Sequence, residues 1–559
     1  MTIFKSPRGL GLASAFALLA LSACDDSSSS EKDSGSDAEV EEDAAVEEDS
    51  SVEEDGGDDL DGGAGDGSTS DGGTSDGGFA AISDQTIKTT ISATGHDRFY
   101  AVTHDKDGNI FAVGQSATTN YSGAAASDKS DYSVVLVKYK PSGELDTGFG
   151  DKGVVLKNVV AVGNGANAEV ARGVVVQSTG KIVVAATVPH TPAGAGTLAS
   201  DTDIALLRFN ANGTPDDGFG TAGVKIHDIT TAHEYQPPTT DAGVPPPALS
   251  AADQQYALQL GADDKLVLLG VTLGQGDKAA EPGVKRTDSD WLLTRLTADG
   301  ELDTSFATKG YVTLDIAEGG ASARGVTVLK DGSLIGAGYT TVANVLDAER
   351  RQQPVLFKVK PDGSFDAEFA KADKYDAKPG VFYDFVTPGK TNAEAYGFVA
   401  QGDKFITLGY GPTNVMGGTG TDFVYARFNA DGSQDKGFGT GGASFVDFGT
   451  YGDNGRALVV LDDKRIVGVG GGRAKPETPP AMANAVPVDG AVSVLLPDGQ
   501  PDTAFGTNGQ KLFNLGGPSD FFWGASQAPD HKSVAIVGIA SAADSGGNDD
   551  GSLVILKLQ

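Results

Sequence analysis

Three features of the sequence predict an all-β chain: a seven-bladed β-propeller of four-stranded antiparallel blades, preceded by a signal peptide and a disordered acidic linker. An acidic turn closed by a phenylalanine recurs six times, the second strand of a hairpin recurs seven times, and a lone strand precedes the first repeat while the last repeat lacks its fourth strand. A period of this length marks a supersecondary unit that buries its apolar faces by stacking on copies of itself.

The turn is clearest in Leu145-Asp146-Thr147-Gly148-Phe149-Gly150 and Asp216-Asp217-Gly218-Phe219-Gly220, and it returns around Phe306, Phe369, Phe438 and Phe505. Successive phenylalanines lie 70, 87, 63, 69 and 67 residues apart, which allots one unit to each turn. Within a unit the order is constant: an apolar run (residues 173–176), a turn, a second run (181–185), a variable loop, a third run (203–209), the phenylalanine turn and a short fourth run (223–226). Second strands are predicted at 109–113, 181–185, 265–269, 333–337, 404–408, 465–469 and 533–537, five of them after Asp- and Gly-rich turns suited to a tight hairpin. Many runs are apolar at consecutive positions, as expected where both faces of a sheet are covered. Four-stranded units of this kind arranged radially describe a propeller. The domain opens with a lone strand at 86–91 and ends with 552–557, and the last unit has no fourth strand after it, so the first strand is expected to complete the last blade and close the ring.

The N-terminus predicts an exported, lipid-anchored protein. Lys5 and Arg8 precede an apolar run at 9–21 that is too short to span a bilayer, which reads as a signal peptide over residues 1–23. Leu21-Ser22-Ala23-Cys24 resembles the lipobox of bacterial lipoproteins, which makes Cys24 the lipidation site and palmitate an expected modification. Cys24 is the only cysteine, so the mature chain has no internal disulfide and no cysteine nucleophile. Residues 24–78 hold the lipidated cysteine and a linker with 21 acids against the single base Lys32. Such a segment buries too little apolar surface to offset its ordering entropy and extends by self-repulsion. The formal charge of the whole chain is −35; setting aside the linker, Lys5 and Arg8 leaves about −17 for the propeller at 79–559. That balance repels polyanions and argues against nucleic-acid binding.

Gly180-Lys181-Ile182, residues 206–213 (LLRFNANG) and residues 302–310 (LDTSFATKG) resemble the delta-60 repeat of predicted secreted and surface proteins of bacteria. The resemblance extends over nearly all of 85–559, although the fourth copy, around Asp366 and Phe369, lacks the glycines. The strand order is similar to that of NHL-repeat propellers. The resemblance implies a propeller and brings no settled activity.

If the first strand of each blade is innermost, the long loops at 187–202, 229–253 and 271–289 share one face, where propellers usually recognise ligands. Aligning the repeats places Tyr100, Arg172, Tyr256, Arg324, Tyr396, Arg456 and Trp523 at one position near that face, each followed by Ala or Gly. Aromatic rings interleaved with guanidinium groups suit a sugar ring, a carboxylate or a phosphate. The alternative is structural: Asp131, Asp203, Asp290, Asp422 and Asp489 begin the third strands on the same side and are placed to neutralise the arginines.

No catalytic motif appears in the propeller at 79–559: there is no Gly-x-Ser-x-Gly elbow, no His-Glu-x-x-His pair and no phosphate-binding glycine loop. The six histidines, His96, His104, His190, His227, His233 and His531, are scattered, and no metal-ligand cluster or cofactor motif emerges. Asp105-Lys106-Asp107-Gly108 lacks the remaining ligands of a calcium loop and reads as a hairpin turn, leaving only weak calcium binding by Asp-Gly loops as an expectation. The leading expectation is a non-enzymatic recognition scaffold of the cell envelope, in the inner or outer membrane, presenting its loop face to a protein or glycan. The alternatives are a propeller enzyme acting on sugars or lactones at the channel mouth (a dehydrogenase, lactonase or lyase) and a structural spacer.

Overall fold

A computed structural model describes residues 82–558, apart from 93–94, 118–130, 161–166, 191–200, 231–251, 317, 344–349, 371–380, 384–391, 413–419, 450–451, 474–486 and 542–548. Cys24, the signal peptide and the acidic linker lie outside the described residues. Within them the chain forms seven four-stranded antiparallel blades and no α-helix. Blade two shows the pattern: Val170–Val176, Ile182–Pro189, Thr202–Phe209 and Val224–His227 run from the inside of the ring outward, each pairing with the next.

The first strands are innermost and pack on one another around the ring, blade seven on blade one included. The predicted second strands begin within a residue of the observed ones, and all seven observed strands run three to six residues further, as in Ile110–Ala117, Leu266–Leu273 and Leu334–Ala343. The extra length points toward the loop face, where each second strand continues pairing with the third.

The apolar core is divided into seven clusters, each between two neighbouring blades. Strand alternation makes this division. In blade two, Ile182, Val184 and Ala186 pack toward blade one, while Val183 and Ala185 pack toward blade three. Consecutive apolar residues therefore serve two different interfaces, which is why these strands lack the polar alternation of a half-exposed sheet.

The repeated turn seals the face opposite the long loops. Phe149, Phe219, Phe306, Phe369, Phe438 and Phe505 are all buried. The aspartate three residues earlier in each turn holds a base of its own blade: Asp216 pairs with Lys181 at 2.5 Å and Arg208 at 2.7 Å, and Asp435 with Lys404 and Arg427, both at 2.7 Å. The arginine then lies over the phenylalanine, with Arg208 4.5 Å from the Phe219 ring centre and Arg427 4.6 Å from that of Phe438. The backbone N–H just after the phenylalanine donates across to the next blade, as from Gly150 to Asn212 O and from Gly439 to Asp498 O. Asp105 belongs to this face too: its carboxylate accepts from the N–H groups of Asp107 and Asn109 at 2.9 Å, closing a hairpin turn.

Closure follows the predicted plan with shifted bounds. The first strand is Ile82–Thr89, which begins four residues earlier and ends two earlier than expected, and it pairs antiparallel with Asp550–Leu558 as the outermost strand of blade seven. Ile87 packs with the cluster that joins blades seven and one. Deleting residues 82–89 removes this strand and exposes a sheet edge; the thermal midpoint of the variant is expected to fall by several degrees, and an unchanged midpoint would refute the latch.

Candidate functional site

The seven aligned residues do converge, and a backbone irregularity is what brings them there. In each first strand the pairing register slips by one residue, and the residue skipped is always the aligned one: Tyr100, Arg172, Tyr256, Arg324, Tyr396, Arg456 and Trp523. A β-bulge leaves its extra residue unpaired and re-aims the side chain. Six blades place a glycine opposite the residue before the bulge, namely Gly114, Gly270, Gly338, Gly409, Gly470 and Gly538, and blade two places Ala186 there. A Cβ on Gly409 would lie 1.7 Å from the Glu394 carbonyl oxygen, and one on Gly270 1.9 Å from that of Gln254, so the bulged backbone occupies the space a side chain would need.

The side chains form a closed circuit. Arg172 lies 5.6 Å from the Tyr100 ring centre and 5.0 Å from that of Tyr256; Arg324 lies 4.7 Å from Tyr256 and 4.6 Å from Tyr396. Arg456 lies 3.7 Å from Tyr396 and 4.7 Å from Trp523, and Trp523 meets Tyr100 edge-on at 5.6 Å. Tyr339, Tyr410 and Phe521 back the circuit from behind its members. Burial holds the Tyr396 hydroxyl well above the usual phenol range, so it stays a neutral hydrogen-bonding group beside its two arginines.

Three of the five third-strand aspartates are engaged by partners other than the circuit arginines. Asp203 bonds His190 at 3.0 Å, Asp290 bonds Arg286 at 2.5 Å, and Asp489 accepts from Asn514 at 3.0 Å. The side chain of Asp131 lies outside the described residues, and Asp422 neighbours Asp447 and Asp453. Three acidic groups have spacing suited to a cation: His190/Asp203/Asp228, Asp288/Asp290/Asp315 and Asp422/Asp447/Asp453. In the second, Arg286 already bonds all three carboxylates.

A second set of residues, missed in the sequence, supports the circuit. Three positions before the bulge, five blades carry a fully buried acid: Asp97, Glu169, Asp253, Asp453 and Asp520. Each accepts from backbone N–H groups just past the outermost strand of the preceding blade. Asp253 accepts from Ile229 at 2.6 Å and Thr230 at 2.8 Å, Asp97 from Ile91 at 2.6 Å and Ser92 at 2.8 Å, and Asp453 from Phe448 at 2.7 Å. In blade four that position is Ala321, whose backbone exchanges hydrogen bonds with the hydroxyl of Ser289 in blade three. An acid three residues before the aligned position is legible in the sequence once the bulge position is known. The acids pin the top of these five first strands about 10 Å above the circuit.

No curated protein matches the chain. A family model described as "Domain of unknown function (DUF5122) beta-propeller" matches residues 193–219 and 285–306, which hold the third strands and phenylalanine turns of blades two and three. The chain is a β-propeller. Among solved structures, a mutant of the NanB sialidase of Streptococcus pneumoniae is similar at 10% identity and a TM-score of 0.39, over 86% of this chain and 95% of that one. An ulvan lyase of polysaccharide lyase family PL25 is similar at 11% identity and a TM-score of 0.34, over 66% and 74%. A gluconolactonase from Xanthomonas campestris is similar at 11% and 0.28, over 71% and 91%. These likenesses concern the fold alone.

Burial pushes the carboxyls of Asp253 and Asp453 up to about 7, against hydrogen bonds that pull the other way. An acid whose folded pKa is raised binds its proton more tightly folded than unfolded, where it titrates near 3.8. The stabilisation is therefore full below the unfolded value and is lost as pH rises through about 7. The melting midpoint is expected to be higher at pH 5 than at pH 8.5, and the difference to shrink in the double variant Asp253→Asn, Asp453→Asn; a rising midpoint with pH would contradict this assignment.

Proposed function

We propose that this protein is an exported lipoprotein, anchored through Cys24, whose propeller is a non-enzymatic recognition module of the cell envelope with its ligand site at the Arg–aromatic circuit. The single observation that carries the site is the coincidence of seven bulges with seven side chains in mutual contact. Bulges interrupt pairing at a cost to each blade, and repeating one in every blade commits the fold to presenting that position. The anchor rests on the signal-like run and the lipobox-like residues around Cys24, and the acidic linker gives the module reach from the membrane. The partner is an envelope protein or glycan, met through the loop face.

Trp523 makes the site observable. The chain has two tryptophans, and Trp291 is buried in the cluster between blades three and four against which Tyr256 packs, so the Trp523 emission is read in a Trp291→Phe background. Saturable binding of an envelope sugar or glycan fragment is expected to change the emission assigned to Trp523 and to raise the melting midpoint. A ligand at a hundred times its dissociation constant adds about 2.7 kcal/mol of stability. Cys24→Ser is expected to abolish labelling by a fatty-acid analogue and release the protein from membranes. Continued labelling would refute the anchor, and a panel of neutral and acidic sugars without effect on either readout would refute the site.

A further inference from the structure

The arginines of this chain fall into two groups. Most described arginines outside the circuit are matched to carboxylates, among them Arg208 to Asp216 at 2.7 Å, Arg295 to Asp303 at 2.9 Å, Arg427 to Asp435 at 2.7 Å and Arg465 to Asp502 at 3.1 Å. Arg324 and Arg456, in the circuit, meet no carboxylate among the described residues. Both lie against one ring, that of Tyr396, so two permanent cations are placed side by side in a domain that is otherwise acidic.

Their hydrogen-bonding capacity is also only partly spent. Arg324 donates to the Ala323 carbonyl at 3.1 Å and the Tyr339 hydroxyl at 2.9 Å, but its Nε is buried without a partner. Arg456 is only 8% exposed, has a buried unpartnered Nε, and makes no hydrogen bond to any described residue. Its contacts are the faces of Tyr396, Trp523 and Phe521. The indole Nε1 of Trp523 is a third buried donor without a partner. Aromatic faces offset part of the charge of a guanidinium, and its N–H edge still needs acceptors. A buried donor left unmatched is destabilising, the more so when charged.

We infer that the arc Arg324–Tyr396–Arg456, together with the Trp523 indole, is an oxyanion subsite that takes the carboxylate or sulfate group of an acidic sugar. The inference rests on the circuit being the ligand site and specifies its chemistry. An oxyanion supplies what the arc lacks, negative charge and several acceptors in one small group, and a charge-assisted pair with a guanidinium is stronger than a neutral hydrogen bond. The edge-on Tyr100–Trp523 contact beside Arg456 is the uncharged part of the circuit and offers apolar surface to the sugar ring.

The test is titration of the full mature chain in detergent with D-galacturonate, D-galactose and inorganic sulfate, read by Trp523 emission and calorimetry. Galacturonate is expected to bind at least tenfold more tightly than galactose, with sulfate competing. Arg324→Met and Arg456→Met should each remove that preference. Trp523→Phe keeps an aromatic ring but removes the N–H donor together with part of the indole surface, so by calorimetry it should weaken galacturonate several-fold more than galactose, and equal weakening of the two would count against the oxyanion subsite even if the arginine variants fail to fold. Equal binding of galactose and galacturonate would overturn the oxyanion subsite while leaving the circuit as a sugar site. Absence of any binding, with the arginine variants losing only stability, would overturn both and make the circuit a structural girdle.

Discussion

The structure depends on mutual burial between blades. A four-stranded blade presents two apolar faces and has no core of its own; each of the seven clusters draws its members from two neighbours. Blade stability is thus an interface property, and an open array would leave one whole face exposed at each end. The strand Ile82–Thr89 resolves this by lending the start of the domain to its last blade. Closing the ring covers both terminal faces at once.

The same interfaces are fastened at both faces by different chemistry. On the short-turn side, a phenylalanine, an aspartate and a base repeat with little variation, and a backbone N–H crosses to the next blade. On the loop side, buried acids at the top of the first strands accept the N–H groups left over where the preceding outermost strand ends. Buried carboxylates are costly unless their lone pairs are used, and here the cost is met by backbone donors that would themselves be orphaned.

An odd number of blades leaves its mark on the channel. Arginine and aromatic residues alternate around the circuit, but seven positions cannot alternate without one repeat, and the repeat is the Trp523–Tyr100 contact between blades seven and one. The seam of chain closure is therefore also the uncharged sector of the circuit, opposite in character to the Arg324–Tyr396–Arg456 arc. The channel wall is therefore asymmetric, cationic along the Arg324–Tyr396–Arg456 arc and uncharged at the seam.

Much of this was legible in the sequence. The blade count, the strand order, the latch and the seven circuit residues follow from the repeat period and from apolar runs such as 181–185, because these encode local pairing and the faces that must be covered. The partners of the circuit residues were not legible. Asp203 and Asp290 stand at positions from which the sequence assigns them to the arginines, but in three dimensions His190 and Arg286, carried on loops that differ from blade to blade, reach them first. The bulges were equally hidden, since a one-residue slip leaves the apolar pattern nearly intact and shows only as a glycine across the strand and an acid three residues earlier. The sequence by itself determined that the chain is a closed ring of seven sheets, because repetition and strand patterning are local and periodic. Only the tertiary structure decided which side chains face one another in the channel, because that depends on register slips and on contacts between residues far apart in the chain.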